Sequence, residues 1–255
     1  MVEIKTDTSV DAMREAGRVV AEALSAVREA ARVGVALREL DEVARAVLRE
    51  AGASSPFLGY HPSWAPAPFP AVICTSVNDA IVHGVPTGYR LRDGDLVSVD
   101  CGATLDGWVG DAAVTFVVGT PRPEDVRLAD TARAALDAGI AAAVPGNRIG
   151  DIAHAIGRVC RSAGYGIPQG FGGHGVGRTM HEGPDVPNEG RAGRGLLLRH
   201  GMVLAIEPML IGGGRDAFFA DADGWTLRTS DGTRAAHAEH TVAITDAGPR
   251  VLTVV

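Results

Sequence analysis

Cysteine is scarce in this chain. Its three residues, Cys74, Cys101 and Cys160, are scattered and form no CxxC pair, which argues against a disulfide framework. Long basic runs are absent and the formal net charge is −7, so nucleic acid is not expected as a specific partner. No uninterrupted apolar run reaches membrane-spanning length, and residues 1–7 lack the apolar stretch of a signal peptide. The expectation is a cytoplasmic protein with no membrane partner. Familiar nucleophile signatures are missing too: there is no GxSxG, and no cysteine stands in a triad context. His181-Glu182 does not open an HExxH zinc helix, because Asp185 occupies the second histidine position and Pro184 would break the helix. The glycine-rich run 170–177 lacks the Lys-Ser/Thr ending of a phosphate loop.

What is present is an ordinary globular composition, 46% hydrophobic and 22% charged over 255 residues, enough to bury a sizeable core in one domain. The chain is organised around residues 91–116. Asp106-Gly107 between two apolar runs predicts a β-hairpin. A two-residue turn there sets Asp100 opposite Ala113 and Asp111 opposite Gly102. Both aspartates then share a face as diagonal neighbours, roughly 7–8 Å apart at the backbone.

This stretch recurs. Residues 91–100 align with 198–207, so Glu207 repeats Asp100 at an offset of 207 − 100 = 107. Upstream, the helical pattern from Gly34 to Gly52 recurs from Gly146 to Gly164, at 164 − 52 = 112. An internal duplication follows, with halves about 10–118 and 124–246 in a single domain of residues 1–255, and a site at their junction receives an acid from each half. Helical spacing predicts an amphipathic helix carrying Met13 to Val27, a second from Leu37 to Ala51, and a repeat of the pair at 124–144 and 149–163. Strands are predicted at 71–76, 80–83, 202–207, 224–229 and 237–244. A proline- and aromatic-rich loop, 54–70, lies between helices and strands. The fold class is α+β: an antiparallel-rich sheet with helices on one face.

Asp100, Asp111, His174, Glu207 and Glu239 are the candidate metal ligands. Four buried carboxylates carry −4, which is very costly without compensating cations, and two divalent ions supply +4. Hard oxygen donors with one imidazole suit Co, Mn, Fe or Zn. Bridging carboxylates can hold two ions about 3.5–4 Å apart, an arrangement that activates water for hydrolysis. Glycines around His174 would let the backbone approach an ion or substrate. His83 and His181 are candidates to donate to an oxyanion or to exchange a proton with a leaving amine.

Tyr60, the runs 72–78 (VICTSVN), 82–86 (VHGVP), 172–177 (GGHGVG), 181–184 (HEGP) and 206–209 (IEPM), and Glu239-His240-Thr241 together resemble the type I methionine aminopeptidases. The resemblance spans almost the whole chain and implies the pita-bread fold: two halves related by a pseudo-two-fold, a curved antiparallel sheet, and helices on its outer face. It implies two divalent ions held by Asp100, Asp111, His174, Glu207 and Glu239. It also implies attack of a metal-bridging water or hydroxide on the first peptide carbonyl, with Glu207 handling the proton and His181 stabilising the tetrahedral intermediate. His83 would contact the substrate near its amino end, and Tyr60, Phe69, Cys74, Met180 and Trp225 would line the methionine pocket. The implied partner is a peptide or nascent-chain N-terminus with a small second residue, near the ribosome, and the implied state is a monomer.

Three departures from the family pattern stand out. Residues 63–68 look like an insertion between Tyr60 and Phe69. Met180 replaces a usual aromatic. His237-Ala238 precedes Glu239 where Gln and an aromatic are common, a change read here as affecting how the pocket closes. X-Pro-cleaving prolidases and aminopeptidase P share the fold but usually carry an extra N-terminal domain, for which the residues before Asp100 leave no room. Non-catalytic relatives that only bind peptides typically lose metal ligands, and none is lost here.

Overall fold

The computed structural model describes residues 2–255. Two helices, α1 (Asp7–Ala30) and α2 (Leu37–Glu50), open the chain. Thr6 caps α1, its hydroxyl accepting from the Ser9 amide at 3.2 Å. Strands β1 (Ile73–Val77), β2 (Ala80–Val82), β3 (Leu96–Leu105) and β4 (Trp108–Val117) follow. The second half begins with α3 (Pro123–Ala142) and α4 (Ile149–Ser162). It continues with β5 (Gly172–Gly175), β6 (Glu182–Pro187), β7 (Val203–Ile206), β8 (Met209–Ile211), β9 (Phe218–Ala220), β10 (Leu227–Thr229), β11 (Ala235–His237), β12 (Glu239–Thr245) and β13 (Gly248–Val251).

The main sheet is antiparallel, in the order β1-β3-β4-β12-β7-β5-β6, with β13 on β12. The β3–β4 hairpin has the register read from the sequence: Asp100 faces Ala113 and Gly102 faces Asp111. Asp106 and Gly107 both take positive φ, 50° and 75°, the geometry that lets a two-residue turn match the strand twist. Helices α1 and α2 pack their apolar faces on β3 and β4, while α3 and α4 bury theirs against β7, β8 and β12.

The duplication is visible in the hydrogen bonding. Gly34 N–H donates to the Leu91 carbonyl, and Gly146 N–H to that of Leu198. The bridge Ala36–Arg90 recurs as Arg148–Leu197, displaced by 148 − 36 = 112 and 197 − 90 = 107, the offsets of the sequence repeats. Each second helix also starts alike: Glu39 accepts from the Ala36 amide, and Asp151 from that of Arg148.

β5, β6, β8, β9 and β13 are not expected from the sequence, and two of the expected strands differ from their expected extent. The stretch 237–244 is split at Ala238, with β11 pairing β8 and β12 pairing β4 and β7. Opposite the break stands Pro208, whose carbonyl accepts from the Ala238 amide and which has no N–H to offer the ladder. Of the stretch 224–229 only Leu227–Thr229 is strand, because Gly224 takes φ +74° in a turn closed on Asp221.

α1 crosses β4 where neither backbone carries a side chain. A Cβ on Gly110 would lie 2.8 Å from Gly17 Cα, closer than packed atoms tolerate. Gly110→Ala must lift α1 from the sheet next to Asp111. The expected result is a lower urea midpoint at unchanged slope, a loss of about 1–3 kcal/mol.

Candidate metal centre and substrate cavity

All twelve residues singled out from the sequence line one cavity of about 550 Å³. Its floor is acidic. Asp100 comes from β3, Asp111 from β4, Glu207 from the residue after β7, Glu239 from the start of β12 and His174 from β5. Register dictates this: Asp100 and Asp111 sit diagonally on the hairpin, and Glu239 lies opposite Ala113. Asp111, His174 and Glu239 present ligand atoms within 4.8 Å of one another.

Among the described residues, Asp100 Oδ1, Asp111 Oδ1 and Glu239 Oε1 are buried without a hydrogen-bond partner. Burial, then mutual repulsion, pushes Asp111 and Glu239 well above the usual carboxylate range. Burial raises Asp100 to about 7 and Glu207 to about 8. Buried, orphaned, hard oxygen atoms around one point fit divalent cations and fit little else.

The segment 172–175 is glycine-rich for a packing reason in addition to the one read from the sequence. A Cβ on Gly173 would lie 2.0 Å from the Ala205 carbonyl oxygen. The glycines let β5 press against its neighbouring strands, which places His174, and Gly172 and Gly173 also line the cavity.

His83 projects into the cavity from a backbone with φ +58°, a strained conformation for a residue with a Cβ. Two bonds next to it pin the turn: Thr75 N–H donates to the Gly84 carbonyl at 2.7 Å, and Gly84 N–H to Ser76 Oγ at 3.1 Å. Burial lowers His83 to about 4. His181 is likewise lowered to about 4 by burial and then by His174, whose ring centroid is 4.3 Å away. Both imidazoles are neutral at pH 7 and can donate one N–H each.

The opposite pole of the cavity is apolar. Phe57, Phe69, Cys74, Met180 and Trp225 form one buried cluster with Tyr60 against it. Burial, then Asp100 and Asp111, holds the Cys74 thiol well above its ordinary value, so Cys74 is a wall and no nucleophile. The loop of residues 63–68 docks on this wall. Trp225 Nε1 donates to the Ala67 carbonyl at 3.0 Å. Trp64 is 57% exposed at the mouth, its ring 6.3 Å from and nearly parallel to that of His83.

Among residues that the sequence reading did not name as lining or ligand candidates, three stand out here. Trp64 and Phe171 line the cavity. His237 joins Glu207 and Glu239 in a second group of potential ligands. Its position two residues before Glu239, on the same face of an extended chain, was the available signal.

The match to known proteins agrees with this geometry. Residues 11–246 match the model of Metallopeptidase family M24. The chain belongs to that family. It is 54% identical to "Methionine aminopeptidase 1" of Mycobacterium tuberculosis, over 96% of this chain and 92% of the relative. The crystal structure of methionine aminopeptidase from Thermotoga maritima superposes with a TM-score of 0.95 at 38% identity, covering 100% of both chains. A prolidase from Pyrococcus furiosus shares the fold at TM-score 0.78 and 24% identity, and the match covers only 65% of that longer chain. The family is one of metallopeptidases, and the curved sheet with helices on its outer face is the family's pita-bread fold.

Acids with raised pKa values make the metal-free fold pH-sensitive. An unfolded carboxylate loses its proton near pH 4, but Asp100 and Glu207 keep theirs to about 7 and about 8 when folded. The folded chain therefore binds more protons between these limits, and its stability falls as pH rises through them. Below pH 6.5 the buried histidines, lowered in pKa, oppose this trend. The melting temperature of EDTA-treated protein should therefore drop from pH 6.5 to pH 8, less steeply in Glu207→Gln, and Mn(II) should restore it. A flat profile would show that other groups compensate the acids.

Proposed function

We propose that this protein is a metal-dependent aminopeptidase that removes the N-terminal methionine from peptides with a small second residue. One observation carries the reading: the apolar pole of the cavity adjoins the buried acid cluster directly. A long, flexible, uncharged side chain fits the first, and the first peptide bond then lies at the second. The high identity to proteins named methionine aminopeptidases supports it.

Asp100, Asp111, His174, Glu207 and Glu239 would hold two divalent ions. Such ions, when bound, polarise the scissile carbonyl and make water acidic enough to attack it near neutral pH. The chain's own groups supply the rest. Glu207 accepts the attacking water's proton on a carboxylate oxygen and passes it to the leaving amine. Neutral His181 donates its N–H toward the developing oxyanion. His83, held rigid by its strained turn, donates to the substrate near its amino end. Tyr60, Phe69, Cys74, Met180 and Trp225 exclude water around the methionine side chain. The chain acts as a monomer on free or emerging N-termini.

Mass spectrometry of products from Met-Ala-Ser and Ala-Pro-Ala tests this. Metal-dependent release of methionine from the first alone is expected, abolished by EDTA and restored by Mn or Co. Cleavage only before proline would place the activity with the prolidases instead. Asp111→Ala and Glu207→Ala should each reduce turnover by at least about a thousandfold with the fold retained. Substantial residual turnover in either would refute the two-ion reading. Met180→Phe should sharpen the preference for methionine over norleucine, read as a ratio of kcat/KM.

A further inference from the structure

The internal symmetry gives Asp111 a counterpart, and it is His237. β8 and β11 continue the ladder of β7 and β12 beyond Pro208. Met209 faces His237 there, as Gly102 faces Asp111 in the first hairpin. The offsets are 209 − 102 = 107 and 237 − 111 = 126, and 126 also relates Val118 to Ile244, whose amide bonds to Asp95 and Met202 correspond.

Side chains repeat the correspondence. The Thr241 hydroxyl accepts from the Asp111 amide at 2.9 Å and donates to the Asp111 carbonyl at 2.8 Å. The Thr115 hydroxyl accepts from the His237 amide at 3.0 Å and donates to the His237 carbonyl at 2.6 Å. Thr115 and Thr241 are themselves 241 − 115 = 126 apart. Each threonine thus clamps the backbone of a residue aimed at the acid cluster from the other half.

His237 is 1% exposed, and among the described residues its Nε2 has no hydrogen-bond partner. That atom lies 3.4 Å from Glu207 Oε2 and 3.9 Å from Glu239 Oε2. On the other side, His174 Nε2 lies 3.5 Å from Glu207 Oε1. These separations exceed an N–H···O bond. They suit neighbouring donors around a shared cation, whose bonds run about 2.0–2.2 Å.

We propose that His237 is a sixth protein ligand of the metal centre, donating Nε2 to the ion shared with Glu207 and Glu239. The inference deepens the two-ion reading above and rests on it. It gives each half of the molecule an equivalent donor, Asp111 in one and His237 in the other, and makes one of the two ion positions richer in nitrogen.

Titration of the EDTA-stripped, full-length protein with Mn(II) by calorimetry, and with Co(II) by visible absorption, tests it. Wild type should bind two ions. His237→Gln and His237→Ala should both weaken one of the two steps by at least about tenfold and shift the Co(II) d–d bands. Wild-type affinities and bands in His237→Gln, with or without loss in His237→Ala, would mean a hydrogen-bonding or filler role and overturn the assignment. Failure of wild type to bind any divalent ion would instead overturn the metal-centre reading itself.

Discussion

Four carboxylates held out of water around one point set the terms for the rest of this structure. Unneutralised, they repel one another, and no lysine or arginine reaches them among the described residues: the ion pairs at the cluster are to His174 and His237 alone. A cluster of this kind is a net destabilisation of the bare fold, because desolvation of each charge outweighs what a high dielectric would have supplied. The surrounding chain has to overdetermine its geometry. It does so with long antiparallel ladders below the acids, paired helices behind the ladders, and glycines where helix and strand must touch.

The symmetry explains how so many acids reach one place. A single hairpin offers diagonal positions on one face, and duplication doubles them. Glu207 stands where Asp100 stands, and the Thr115 and Thr241 clamps tie each half's inward-facing strand to the other. The halves are therefore stabilised by the very contacts that assemble the site, and a displacement of one half would misplace ligands from both. Departure from strict symmetry is where chemistry becomes directional: Asp111 has His237 and Ala113 has Glu239 as counterparts, so each half carries two inward acids but at different positions on its hairpin. His174 and His181 come only from the second half, and His83 only from the first.

Much of this was legible in the sequence, for identifiable reasons. The β3–β4 register followed from Asp106-Gly107 alone, since a tight turn leaves one pairing; Asp100 and Asp111 followed from period-two alternation and Glu207 from the repeat, while His174 and Glu239 rested on the family resemblance. The repeat offsets matched the hydrogen bonds residue for residue. Tertiary effects hid the remainder. The split of 237–244 depends on Pro208, which is distant in sequence and opposes Ala238 only once β7 and β12 pair. The purpose of Gly173 depends on the Ala205 carbonyl across a strand boundary. The docking of the loop 63–68 on Trp225 depends on a carbonyl at Ala67 finding an indole N–H 158 residues away, which no local pattern encodes.

The same distinction separates the two poles of the cavity. Donor atoms for a cation are constrained in type, spacing and face, so a sequence restricts them sharply. An apolar pocket needs only volume and shape, which many side chains supply. Met180, unbranched and polarizable, fills irregular space as an aromatic ring would, but with three rotatable bonds in place of a rigid plane. Trp64, on the proline-stiffened loop, adds a rigid ring at the mouth of the cavity. The pocket's deep wall is thus softened by Met180 while its entrance is stiffened by Trp64. Discrimination in this enzyme should accordingly depend less on the fit at the end of the methionine side chain than on what the entrance lets the rest of the peptide do.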